Sequence, residues 1–127
     1  MKLFDIVSKY DCKVYTPDIM RNIEINYAFC SDLMSDALMI LNSVKDNGIL
    51  SHSVLITGLT NNQSIRTAEM LDVEVVLLVR GKIPSTKVID LANESNIMLI
   101  ATESTMFNTS GMMYQDGIKG VRYHQQW

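Results

Sequence analysis

Three short aliphatic runs constrain this chain more than any other feature: Val54-Leu55-Ile56, Val73-Glu74-Val75-Val76-Leu77-Leu78-Val79 and Ile97-Met98-Leu99-Ile100-Ala101. They do not alternate apolar with polar residues, as a strand with one wet face does. Near-continuous β-branched and aliphatic runs are what strands covered on both faces require. Between the runs, Ile65, Ala68 and Leu71, then Val88, Leu91 and Ala92, follow helical spacing. Helices between buried strands make parallel crossovers the natural connection. The expected fold is therefore α/β, a two-layer or three-layer sandwich with a mainly parallel sheet.

The rest of the chain supplies flanking elements. Leu3, Ile6, Val7 and Tyr10 predict a short opening helix, and Lys13-Val14-Tyr15 a brief strand. Thr16-Pro17 predicts an N-cap and one helical turn. Ile23, Ile25, Tyr27 and Phe29 alternate with Asn22, Glu24, Asn26 and Ala28, the pattern of a strand with one more polar face. Ser31 is placed to cap the next helix, with Asp32 against its positive end and Met34, Ala37, Leu38 and Leu41 as its buried stripe, ending near Asn42. Asn42 to Ser53 reads as a surface loop turning at Asp46-Asn47-Gly48. The last helix is expected to start after Thr105, bury Phe107, Ser110, Gly111 and Tyr114, and stop at Gly117. The tail from Ile118 to Trp127 carries no readable pattern.

Size and charge narrow the function. A chain of 127 residues holds one core. Eleven basic against fourteen acidic side chains leave a net charge of −3, with no sustained basic cluster, so a nucleic-acid partner is not expected. No run approaches the ~18 apolar residues of a membrane helix, and Met1-Lys2-Leu3-Phe4-Asp5 meets an acid where a signal peptide needs apolar residues. A cytoplasmic protein with no membrane partner is expected. Cys12 and Cys30 read as reduced packing residues.

Phosphate-binding loops, dinucleotide fingerprints and the serine elbow are all missing from the sequence. His52 and His124 have no metal-ligand spacing, so neither a metal nor a cofactor is expected. In a parallel sheet, ligands bind beyond the carboxyl ends of the strands, and three polar turns fall there. They are Thr57-Gly58-Leu59-Thr60-Asn61-Asn62, Arg80-Gly81-Lys82 and Thr102-Glu103-Ser104-Thr105. On one edge they would offer Thr60, Asn61, Asn62, Arg80, Gly81, Lys82, Thr102 and Thr105 to a small anionic ligand. The plainer alternative makes Asn61 and Thr105 helix caps, Gly81 a turn residue, and Arg80 and Lys82 solvated cations. Asp32 and Asp36, four apart, read either as a carboxylate pair for acid/base work or a hard metal or, more simply, as acids favoured by a helix dipole. Of nine methionines, Met106, Met112 and Met113 would suit a self-association face on the last helix.

Several strings resemble the DRTGG domain family. Ala28-Phe29-Cys30-Ser31-Asp32-Leu33-Met34-Ser35-Asp36 is similar to its strand and Ser-Asp-Leu-x-Ser-Asp helix start. Val54 to Thr60 resembles its next strand and threonine turn, Arg80 to Pro84 its Gly-x-x-Pro turn, and Thr102 to Tyr114 its Thr-x-x-Ser/Thr-x-Phe segment. The literal Asp-Arg-Thr-Gly-Gly string is absent. The resemblance implies a fold similar to the N-terminal domain of HPr kinase/phosphorylase and to modules joined to CBS domains or phosphotransacetylases. It also implies a regulatory or accessory role without catalytic residues. Residues 1–118 then form the DRTGG-like domain and 119–127 a C-terminal tail. The expected function is a non-enzymatic, homodimeric regulatory domain that senses a small ligand or a protein partner. The alternatives are a structural accessory subunit of a metabolic or redox complex, or a small hydrolase or transferase using Asp32 or Asp36 with Arg80.

Overall fold

The computed structural model describes residues 1–44 and 48–121. The expected turn at Asp46-Asn47 and the tail cations Arg122 and His124 lie outside the described residues. In chain order the elements are α1 (Leu3–Lys9), β1 (Lys13–Val14), β2 (Tyr27–Cys30), α2 (Met34–Asn42), β3 (Ser53–Thr57), α3 (Asn62–Leu71), β4 (Val75–Leu78), α4 (Thr86–Glu94), β5 (Met98–Ala101), α5 (Met106–Gln115) and β6 (Lys119–Gly120). Single 3-10 turns occupy Pro17–Ile19 and Leu50–His52.

The three aliphatic runs become β3, β4 and β5, and every residue of these strands is buried. The six strands lie in the order β1-β5-β4-β3-β2-β6. Strands β2 to β5 are parallel neighbours, with Leu55 opposite Phe29 and Val76, and Val76 opposite Leu99. Among the described strands only β1 runs antiparallel, Lys13 facing Ala101 and Val14 facing Ile100. The side-chain alternation of a strand then sorts the core into two halves. Leu55, Val76, Leu78, Leu99 and Ala101 meet Met34 and Leu41 of α2, Ile65, Ala68 and Leu71 of α3, and Val88 and Ala92 of α4. Val54, Ile56, Val75, Leu77, Met98 and Ile100 meet Leu3 and Ile6 of α1 and Met113 of α5. The fold is a three-layer α/β sandwich. Full burial of each Val, Leu or Ile side chain contributes roughly 1.5–3 kcal/mol, so the central strands tolerate little polarity.

The direction of travel explains which helix covers which face. From β2 to β5 the chain steps one strand at a time, and α2 packs on α3 and α3 on α4. It then returns across the sheet to place β6 beside β2. Parallel crossovers keep one hand, so reversing direction puts the connecting helix on the opposite face. That helix is α5.

Several local expectations are corrected. Alternation from Ile23 yields a strand only from Tyr27, because Leu3 N–H donates to Ile23 O and Ile25 N–H to Met1 O. That earlier stretch is spent on the N-terminal segment rather than on β3. Thr16 does not cap the following turn. It is fully buried, and its hydroxyl accepts from Leu99 N–H at 3.0 Å, which locks the end of β1 to β5. Ser31 lies too early to cap α2, and its hydroxyl turns back on Leu33. The surface loop before β3 contributes Val44 and Leu50 to the core. On α5 the buried positions are Thr109 and Met113, whereas Phe107 is 85% and Tyr114 74% exposed. The stripe expected to be buried faces solvent. Of the expected methionine face, Met113 is core and Met112 exposed, and Met106 packs partly against the core. Lys119 and Gly120, at the start of the expected tail, pair with Tyr27 and Ala28 as the sixth strand.

Candidate functional site

Because β3, β4 and β5 are parallel neighbours, the three polar turns that follow them stand on one edge of the sheet. The turn after β4 organises this rim. Arg80 and Gly81 both adopt left-handed backbone conformations, with φ of 63° and 66°. Glycine enters this region freely, whereas Arg80 does so at a cost of about 1–2 kcal/mol. The turn aims Arg80 N–H at Ser104 O (2.8 Å) and Gly81 N–H at Thr102 O (3.0 Å), tying the β4 turn to the β5 turn.

The Arg80 side chain runs the other way. Its guanidinium lies 3.6 Å from the Asp32 carboxylate and directly over Gly58, where an added Cβ would come within 1.9 Å of Nη2. Asp32 Oδ1 also accepts from Gly58 N–H at 2.6 Å and from the Thr57 hydroxyl at 3.3 Å. Asp32 precedes α2, so it shares no helical face with Asp36, which occupies the first turn. Asp32 and Arg80, the pair an enzyme reading would need, do meet, but their contacts tie the ends of β2, β3 and β4 together.

Beside this tie, the carboxyl end of β5 opens into a recess of about 520 Å³. One wall is Gly81, Lys82 and Ile83 after β4; the floor and back are Ala101, Thr102, Glu103 and Ser104. The other wall comes from the α1–β1 turn and β1: Tyr10, Asp11, Lys13 and Tyr15. The connections after β4 and β5 leave on opposite faces of the sheet. Open α/β sheets place ligand crevices at such a switch of direction. Thr102 fixes the floor: its buried hydroxyl donates to Tyr10 O at 3.2 Å and accepts from Ser104 N–H at 3.3 Å. Lys13 Nζ sits 5.1 Å from the centre of the Tyr15 ring, within cation–π range.

The wall carrying Tyr10 is anchored from behind. The Tyr10 hydroxyl donates to Asp116 at 2.5 Å, and Lys9 Nζ reaches the other carboxylate oxygen at 2.8 Å. Burial, and then the bond to Asp116, push the Tyr10 phenol well above the ordinary tyrosine range. The bonds from Lys9 and Tyr10 hold the Asp116 carboxyl below its usual range. Burial, then the neighbouring Asp11, push the Cys12 thiol up to about 12. Among the described residues, no group of three or more His, Cys, Asp and Glu side chains is arranged to hold a metal ion.

Of the eight candidate residues, Gly81, Lys82 and Thr102 line the recess. Arg80 is held against Gly58 and Asp32. Asn61 caps α3, its side chain accepting from Gln63 N–H at 3.0 Å, and Thr105 caps α5 through Asn108 N–H at 3.2 Å. Thr60 precedes that first cap half-buried, and Asn62 Oδ1 is buried without a hydrogen-bond partner. These five do not line the recess. Sequence reasoning missed Tyr10, Asp11, Lys13 and Tyr15. The available signal was the two-residue period of a strand, which puts Lys13 and Tyr15 on one face.

Among chains of known structure that resemble this one, one is similar over most of this chain's length. That chain holds the CBS and DRTGG domains of the regulatory region of Clostridium perfringens pyrophosphatase, complexed with its activator, diadenosine tetraphosphate. The two are 19% identical with a TM-score of 0.68, and the match covers 91% of this chain and 47% of that chain. This chain therefore spans about half the length of its neighbour, and its fold is DRTGG-like. No family model matches the sequence, and no curated protein does. Among the described residues, no helix is long and apolar enough to cross a membrane.

Proposed function

We propose that this domain is a non-enzymatic regulatory module of the cytoplasm that senses a small anionic ligand at the carboxyl rim of its sheet. The recess carries this reading. It places Lys82, Thr102 and the Gly81 backbone, three of the residues singled out in the sequence, beside Lys13 at a switch of sheet direction. The architecture is shared with a region that regulates a pyrophosphatase and was solved with a phosphate-bearing activator, which supports a sensing role. Asp32, bonded to Gly58 N–H and paired with Arg80, serves this reading as scaffold.

The test is thermal unfolding across inorganic phosphate, pyrophosphate, nucleotides and phosphorylated metabolites. A ligand at a hundred times its Kd stabilises the fold by about 2.7 kcal/mol, a plain rise in Tm. Lys82→Ala should diminish that rise. A flat response to the whole panel rejects the reading. The module is also proposed to act as a homodimer through the outward face of α5, where Phe107, Met112 and Tyr114 are exposed. Sedimentation showing only monomer at micromolar concentration removes that part.

A further inference from the structure

The recess is not a generic anion site, because its walls carry aromatic surface and both signs of charge. Tyr15 follows β1 and Ile83 follows β4, the two strands that flank β5. Both line the recess, Tyr15 on the antiparallel flank beside Leu99 of β5 and Ile83 beyond the carboxyl end of β4. Tyr15 is half-buried, its ring covered on one side by Lys13 Nζ at 5.1 Å, and Ile83 is 78% exposed. A partly buried ring and an exposed apolar side chain in one recess offer apolar surface on which a flat ring can stack.

Charge sets the rest. Lys13 and Lys82 bring two positive charges to the recess, and Asp11 and Glu103 bring two negative ones. Two ammoniums match one phosphate monoester, which carries about −1.5 to −2 near neutral pH. Each further phosphate would meet carboxylates. The carboxylates in turn accept from hydroxyl donors. Resting on the ligand-sensing reading, we propose that the recess takes a nucleoside monophosphate: the base stacks on Tyr15 beneath Ile83, the phosphate lies between Lys13 and Lys82, and the sugar hydroxyls donate to Asp11 and Glu103. By the same balance it disfavours a dinucleoside polyphosphate such as the neighbour's activator.

Isothermal titration with adenosine monophosphate, adenosine, inorganic phosphate and diadenosine tetraphosphate tests this. Adenosine monophosphate should bind at least about tenfold tighter than inorganic phosphate, the worth of one base–aromatic stack. It should also bind tighter than adenosine, which brings no charge to the lysines, and than diadenosine tetraphosphate, whose extra phosphates meet the carboxylates. Tyr15→Leu should weaken it by about tenfold while leaving phosphate binding unchanged. Lys82→Ala, at an exposed position, should weaken both. Phosphate or diadenosine tetraphosphate binding as tightly as the monophosphate overturns the proposal and leaves an anion sensor standing. Binding of none of the four overturns the proposal, and the broader panel then decides the sensing reading separately.

Discussion

Arg80 and Asp32 sit at the ends of strands that are not neighbours, yet their charged groups lie 3.6 Å apart. The guanidinium crosses β3 at its last turn, and it can do so only because residue 58 has no side chain. One arginine thus fastens three strand ends on one side. Its backbone meanwhile bonds the turn after β5, at the edge of the recess.

Gly58→Ala should therefore destabilise the domain through Arg80. The added methyl meets the far end of a flexible side chain, so the guanidinium swings away and the loss is about 1 kcal/mol, the lower range for overpacking. In an Arg80→Ala background the obstacle is gone, and Gly58→Ala should cost much less. Urea unfolding of the four proteins measures this coupling. Additive effects would show that Gly58 does not serve Arg80.

At residue 80 the side chain and the backbone have opposite demands. Arg80→Ala and Arg80→Gly both delete the guanidinium, but only glycine relaxes the left-handed φ of 63°. Arg80→Gly is expected to be more stable than Arg80→Ala by about 1 kcal/mol. The exposed ion pair contributes under about 1 kcal/mol, so Arg80→Gly should unfold close to the wild type. Equal stability of the two variants would contradict the backbone conformation.

The Tyr10–Asp116 bond gives stability two pH limits. Asp116 titrates lower folded than unfolded, so its contribution is complete above the ordinary carboxylate pKa of about 3.9 and fades as pH falls through the folded value. Tyr10 titrates higher when folded, so above about pH 10 the unfolded chain ionises first and stability falls. Tyr10→Phe should lower Tm at pH 7, lose part of the acid dependence and flatten the alkaline decline. Parallel Tm–pH curves for wild type and variant would refute the linkage.

Thiol chemistry separates the two cysteines. Cys12 is held as a thiol by burial up to about 12, while Cys30 is an exposed residue raised by burial and partly relieved by its contact with Ser110, 3.0 Å away. With a thiol-labelling reagent at pH 8, Cys30 should react first and Cys12 only on unfolding, because the thiolate is the reactive form. Labelling of Cys12 at the faster rate in folded protein would rule this out.

The sheet was legible because strands wet on neither face leave no polar residues to confuse the pattern, and α3 and α4 each carry one unambiguous apolar stripe. Helix α5 was misread because it carries two candidate stripes. Phe107 and Tyr114 look buried by size, while the face that packs is built on Met113 and the hydroxyl-bearing Thr109. One wall of the recess escaped for a different reason. Lys13 meets Ala101 across a two-residue antiparallel strand, and nothing local in either segment specifies that pairing. The role of Arg80 was likewise hidden, since it depends on the order in which strands lie side by side.

Strand β1 forms one margin of the sheet, is two residues long, and is followed by Tyr15, the buried Thr16 and then Pro17, which has no amide proton to offer. A margin so brief gives an incoming peptide almost no ladder to extend. On that flank the backbone is closed to recruitment, and whatever docks there must be recognised through side chains.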